Sequence, residues 1–500
     1  MMRNITSALM VCLLVASCTA PAPESDTYAT FMPVDHKILA EGYDQYKETD
    51  IRTRRFKHDT LHGVFGEAKR WKAAAVGQSI EGRTIFEYTI GTGPVVVLLW
   101  SQMHGDESTA TMALTDIFHF FEASDELDAF REDLLSKLTI VAIPMLNPDG
   151  AERFRRRNLL DIDINRDAMR LVSPEGALLK ARRDHYQAAW GFNLHDQNRY
   201  YAAGSQPLPA TVSFLAPAYN EEKEVNASRG DAMRLIGIMH DVLAQYIPGQ
   251  LAKYDDTFEP RAFGDNIQKW GTRTILIESG GMPGDPEKQE IRKLNYIALL
   301  SALQAIAFEA YPHKSLQTYA DLPFNNSNRF FDVLVREVRV QREDQWFTVD
   351  LGFRRSEINN ADATNYYYRG SLSDMGDLST FFAYEEVAGS GMEAVAARVH
   401  PSVFSAPAEL QALDPVALLR EGIGYVRLRQ KIGPMQQKGL AVLPIGETQE
   451  VADQVNYESQ NTILLRSEAG MVKVIVHGTV YDLEQDADKI RQRWAALTAL

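Results

Sequence analysis

The stretch VVVLLWSQMHGDESTATMALTDIFHFFEA, residues 95–123, opens as an unbroken apolar run. It closes as a segment with Met112, Leu114, Ile117, Phe118 and Phe121 at helical spacing. An apolar run without alternation reads as a strand covered on both faces, which belongs to an α/β sheet with helices on either side. His104 and Glu107 lie between the two segments. In open α/β sheets the functional groups gather just beyond such strand ends.

Working outward, GRTIFEYTI (82–90) precedes this strand across Gly91-Thr92-Gly93-Pro94, and the two runs read as a hairpin. KLTIVAIPML (137–146), GFNLHD (191–196) and RTILIES (273–279) are further apolar runs that end in polar residues, with helix candidates at 174–190, 228–246 and 286–310. The expectation is a mixed central sheet flanked by helices over residues 51–312. After AYPHKSLQTYADLPFNN (310–326) the composition shifts to short strand signals with few long helical patterns. A boundary at 312–325 and a β-rich accessory region over 325–500 are therefore expected.

A chain of 500 residues is too long for one ordinary core, and 45% hydrophobic with 24% charged residues is the composition of a folded protein. The net charge of -15 argues against a nucleic-acid surface, although Arg153 to Arg157 form a local basic patch. The first residues carry Arg3 and an apolar run from Ala8 to Ala16, much shorter than the roughly 20 residues that span a bilayer, and read as an export signal. The only cysteines, Cys12 and Cys18, lie in this leader. Val15-Ala16-Ser17-Cys18 resembles a bacterial lipobox. Residues 1–18 are thus expected to be a signal peptide with lipid attached at Cys18, residues 19–50 a tether and lead-in, and the chain an exported, membrane-anchored protein of the cell envelope facing the periplasm or outside. A plain signal peptide with an incidental cysteine is the alternative. No nucleic-acid or protein partner is inferred.

Four polar clusters stand at or past the strand ends: His104 with Glu107, NPDGAERFRRRNLLDIDINRD (147–167), His195 in NLHDQ, and Glu278 in ILIESGG. Singly each has an ordinary explanation, such as a capped turn or a core histidine. Two histidines and one carboxylate with a fourth position open are, however, the ligand set of a catalytic zinc.

Taken in order, His104-Gly105-Asp106-Glu107, Asn147-Pro148-Asp149-Gly150, Arg156-Arg157-Asn158, Asp163-Ile164-Asn165-Arg166, His195 and Glu278 resemble the M14 family of zinc carboxypeptidases over roughly residues 55–310. The resemblance implies one Zn²⁺ per chain on His104, Glu107 and His195, with Glu278 handling the proton of an attacking water. It implies Arg156 as the partner of the developing oxyanion, Arg155 and Arg157 being close competitors, and Asn165 and Arg166 as the grip on a substrate's terminal carboxylate.

The family's mobile tyrosine has no unambiguous counterpart; Tyr254 is the nearest candidate. Asp196 stands where many members carry a small polar residue, and Phe263 and Asp265 lie where a specificity pocket is lined, which leaves apolar and basic preferences both open. The expected activity is hydrolysis of peptide bonds near a free C-terminus. The alternatives are a peptidoglycan stem-peptide carboxypeptidase or amidase, a small-molecule deacylase, and, from another class, an inactive envelope-binding protein.

Overall fold

The computed structural model describes residues 26–66, 69–459 and 462–499; the leader and Cys18 lie outside them. The first body is built on a mixed sheet. Its strands are β1 (Lys72–Gln78), β2 (Thr84–Ile90), β3 (Val95–Trp100), β4 (Leu138–Ile143), β5 (Trp190–Asp196), β7 (Val212–Leu215), β8 (Leu251–Lys253) and β9 (Arg273–Ser279); the short β6 (Ala202–Ala203) stands outside it. The order across the sheet is β1-β2-β4-β3-β5-β9-β7-β8. The central β4, β3, β5 and β9 are parallel, whereas β1, β2 and β7 join antiparallel.

This order corrects the hairpin expected between 82–90 and 95–101. β4 enters between β2 and β3, pairing antiparallel with the former and parallel with the latter. The reason is burial: β4 is covered along nearly its whole length, so it takes a central place. The Gly91–Pro94 connection runs tightly past the start of β4 instead of turning back, and a Cβ on Gly93 would sit 1.9 Å from the Lys137 carbonyl carbon.

Both faces of the sheet are covered, as the unbroken apolar runs require. Val97 and Leu99 of β3 join the core under the helices Thr109–Glu122, Ala227–Leu243 and Gln289–Ala307. Leu98 and Trp100, on the opposite face, pack with Leu179, Phe263 and Ile267 from the helices Pro174–Tyr186 and Phe263–Lys269.

Residues of the expected lead-in contribute to the first core, among them Val34, Leu39, Tyr43 and Tyr46. A fully buried ion pair ties them down: Arg292 Nε donates to Asp116 Oδ2 at 2.7 Å, and the same guanidinium bonds the carbonyls of Glu48 and Ile51. The guanidinium therefore links two helices to the incoming chain.

The accessory region is β-rich, as expected. β10 (Asn325–Asn326) pairs with β6 at the crossing point. Its main sheet has the order β13-β12-β11-β15-β19-β20-β21, with β14 also on β11. The strands are β11 (Phe330–Arg342), β12 (Gln345–Asn359), β13 (Tyr366–Gly376), β14 (Phe382–Ala388), β15 (Glu393–Ala396), β19 (Ile463–Ser467), β20 (Gly470–Val476) and β21 (Thr479–Asp482). A small parallel sheet, β16 (Arg398–Phe404), β17 (Ile423–Leu428) and β18 (Leu443–Gly446), packs with the closing helix Ala487–Thr498 through a separate core. The two bodies meet where Arg54 and Arg55 both bond Glu357 of β12, at 2.6 and 2.8 Å. Among the described residues no helix is long and apolar enough to cross a membrane.

Candidate metal centre and cleft

The loop after β3 is fastened before it presents any side chain. Ser101 N donates to Ile143 O and Asn147 N to Gln102 O, which binds the loop to the end of β4. Gly105 then passes so close to Gly150 that a Cβ would lie 2.0 Å from the Gly150 carbonyl carbon; only glycine permits this approach. Asn147 braces the junction, accepting from Gly150 N at 2.9 Å and donating to Met103 O at 3.3 Å. Asp149 accepts from Ser79 Oγ and Glu81 N, which joins the same turn to the β1–β2 connection. The NPDG segment is thus the buttress of the HGDE loop.

On this support His104, Glu107 and His195, all buried, converge. His104 Nδ1 lies 2.7 Å from Glu107 Oε1, His195 Nδ1 2.6 Å from Glu107 Oε2, and the two Nδ1 atoms 3.1 Å apart. His104 turns its other nitrogen to Asp163 Oδ1 at 3.1 Å, which orients the ring with Nδ1 facing inward. Two imidazole nitrogens and a carboxylate aimed at one point form a donor set suited to Zn²⁺, and the residues present fit that ion.

The charges agree with this geometry. Burial alone would raise the Glu107 carboxyl, but the two imidazoles outweigh it and hold the group well below the usual carboxylate range. Burial opposes charge on His104, yet Glu107 and Asp163 overcome it and lift the imidazole to about 9. His195 is lowered by burial.

Strand register places the next group. His195 stands directly opposite Glu278 on the parallel pair β5 and β9, so both side chains reach one cleft of about 490 Å³. Burial, and then the Glu107 charge, push the Glu278 carboxyl well above its ordinary value.

Arg156 faces the same cleft: its Nη1 lies 3.1 Å from Glu107 Oε1, and its Nε donates to Asp163 Oδ2 at 3.1 Å. Arg155 and Arg157 turn instead to the carbonyls of Asn158 and Asp161. Asn165 and Arg166 line the cleft too. Asn165 Oδ1 accepts from Phe263 N at 2.9 Å, while Arg166 is partly exposed and 3.5 Å from Glu259 Oε2.

Tyr254 also lines the cleft, its hydroxyl pKa raised by burial and by Glu278. Of the two pocket candidates, Asp265 faces the cleft and burial pushes its carboxyl up to about 7, whereas Phe263 points into the core. The Asp196 side chain is held by Thr109 Oγ1 at 2.6 Å and Lys288 Nζ at 3.0 Å; its backbone N–H reaches Glu107 Oε2 at 3.2 Å. Sequence reasoning assigned no role to Asp163 or Asn193. Asp163 stood in the quoted DINR motif, two residues before Asn165, while Asn193, a cleft residue with an unpartnered buried Oδ1, carried no signal beyond lying two residues before His195.

Asp163 is therefore placed to orient His104 for metal binding. Asp163→Asn keeps the shape and removes the charge, and zinc affinity is expected to fall about 10- to 100-fold. Competition titration against a chelating dye checks this; unchanged affinity would remove Asp163 from the account.

Residues 67–231 match the family model described as zinc carboxypeptidase, a span that holds His104, Glu107, Arg156, Asn165, Arg166 and His195. The chain is also similar to three solved carboxypeptidases. One is a metallo-carboxypeptidase from Burkholderia cenocepacia, at 16% identity over 50% of this chain and 68% of that one, with a TM-score of 0.41. A second, from Pseudomonas aeruginosa in complex with (2-guanidinoethylmercapto)succinic acid, shows 19% identity over 51% and 68%, with a TM-score of 0.40. The third, carboxypeptidase A from Helicoverpa armigera, shows 15% over 55% and 81%, with a TM-score of 0.40. No curated protein matches the sequence. Residues 67–231 thus match a zinc carboxypeptidase domain, and the His104, Glu107 and His195 set within them could hold a metal ion.

Proposed function

We propose that the chain is an exported carboxypeptidase that removes the C-terminal residue from peptides, with a preference for a basic one. The observation that carries this reading is a single cleft holding the three-donor centre, Glu278, and the Asn165–Arg166 pair. A guanidinium on the wall of a hydrolytic cleft supplies a fork for a terminal carboxylate, and such capture is what restricts a peptidase to chain ends.

His104, Glu107 and His195 would hold zinc, which when bound would supply Lewis acidity to a substrate carbonyl and to a water. The chain's own groups do the rest. Glu278 accepts the proton of the attacking water and delivers it to the departing amine nitrogen; its raised pKa suits both halves of that task. Arg156 offers its guanidinium to the oxygen on which negative charge develops. Tyr254, across the cleft, offers a hydroxyl donor to the substrate. Asp265 supports the basic preference, since a cationic side chain entering the cleft would stabilise its ionised form.

The cleft offers the peptidoglycan stem-peptide reading no feature of its own. The convergence of four functional side chains speaks against an inactive binding protein. Export and lipid attachment at Cys18 rest on the leader alone; lipid labelling that persists in Cys18→Ser, or is absent from the wild type, would contradict the anchor.

The deciding experiment compares blocked dipeptides ending in free Arg, free Leu and amidated Arg. Losing a hydrogen bond to a charged partner costs on the order of 1.5 to 3 kcal/mol, so amidation is expected to lower kcat/KM at least about tenfold. In Arg166→Ala that ratio falls towards one, and in Asp265→Ala the preference for Arg over Leu disappears. Equal rates on acid and amide in the wild type would exclude a carboxypeptidase while leaving the zinc centre intact.

A further inference from the structure

A large hollow lies in the accessory region, its lining separate from that of the metal centre. It measures about 600 Å³, exceeding the catalytic cleft, and its lining includes Tyr367, Tyr368 and Tyr481. Around it stand Arg369, Lys438 and Arg493, all exposed, and among the described residues that line it the one carboxylate is that of Glu450. Arg369 donates to the Tyr367 hydroxyl, Lys438 donates to Asn365 Oδ1 and lies over the Tyr366 ring, and among the described residues none of the three cations is ion-paired. In a chain of net charge -15, three uncompensated cations around one hollow form a local anion field. His477 adds a buried Nδ1 without a hydrogen-bond partner.

Two further features say what shape of anion fits. β13 and β21, the two end strands of the main accessory sheet, both line the hollow, β13 through Tyr367 to Arg369, ahead of Leu372, whose backbone is bonded to Glu458 and Ser459, so the hollow is walled by strands along which an extended segment can lie. Through Tyr368 the hollow also borders the junction with the catalytic body. Tyr368 lines it and also a second hollow of about 430 Å³ between the two bodies, and that second hollow shares Glu107, Asp196, Gln197 and Asn198 with the catalytic cleft.

We propose that the accessory hollow is an exosite for an acidic peptide segment lying upstream of the scissile bond in the same substrate. Its place on the substrate rests on the peptidase reading; its recognition of an acidic peptide does not. Arg369, Lys438 and Arg493 pair with the acidic side chains, the tyrosines give the segment a surface to pack on, and the second hollow carries the intervening residues to the cleft.

The test uses the full chain and two probes: an oligoglutamate peptide amidated at its C-terminus, so that it has no terminal carboxylate for Arg166, and an oligogalacturonate of equal charge. Calorimetry is expected to show binding of the peptide that weakens with salt and falls about tenfold or more in the Arg369→Ala, Arg493→Ala double variant. Both side chains are exposed, and an unchanged Tm confirms that the variant folds.

In the kinetic arm, substrates carry a Glu block roughly four to twelve residues upstream of the C-terminus, about 13 to 40 Å of extended chain. They should have a lower KM than their Gln counterparts at equal kcat. The double variant should lose that advantage while cleaving a blocked dipeptide as the wild type does. Absent peptide binding, undiminished binding by the double variant, or tighter binding of the oligogalacturonate would overturn the exosite. Should no dipeptide be cleaved at all, the peptidase reading fails, and the calorimetric arm still decides whether the hollow binds acidic peptide.

Discussion

The constraint on which the structure depends is the meeting of two imidazole nitrogens and a carboxylate in a buried space. Acceptor atoms brought this close are stable only with a proton or a cation between them, and a buried charge without a partner is strongly disfavoured. The chain meets this demand in layers. Glu107 lies between the histidines, Asp163 steadies His104 from behind, and Arg156 bridges Glu107 and Asp163. These contacts set the donor atoms in place within the protein itself, so that an arriving ion meets a site already shaped.

That layering explains why motifs far apart in the chain occur together. The HGDE loop can hold its position only if another backbone passes against Gly105, and NPDG supplies it through Gly150. His195 and Glu278 need no loop. Parallel pairing of β5 with β9 fixes them opposite one another, and rigid strand ends position functional groups more closely than loops do. The helices on both faces are the consequence of a sheet whose central strands are apolar throughout.

Much of this was legible in the sequence because it depends on local chemistry. The apolar runs announced buried parallel strands, and the polar residues at their ends announced a site. What could not be read was pairing over long range. The segments at 84–90 and 95–100 look like a hairpin in isolation, and only the competing burial of β4 separates them. The short β7 and β8 carry too few residues for a periodic signal. The role of Asp163 depends on a partner 59 positions away, and the contact of Arg54 with Glu357 spans 303. In the accessory region the long β11 and β12 were visible as strands, but no local pattern reveals that both end strands of their sheet face one hollow.

The central claim is that His104, Glu107 and His195 hold one zinc ion through two nitrogens and a carboxylate. X-ray absorption at the zinc edge, on protein loaded with one equivalent, measures that shell directly. The expected shell is two imidazole nitrogens at about 2.0–2.1 Å and oxygen donors at about 2.0–2.2 Å, with the imidazole signal reduced in His195→Ala. A shell of oxygen alone, or a spectrum identical in wild type and His195→Ala, would contradict it.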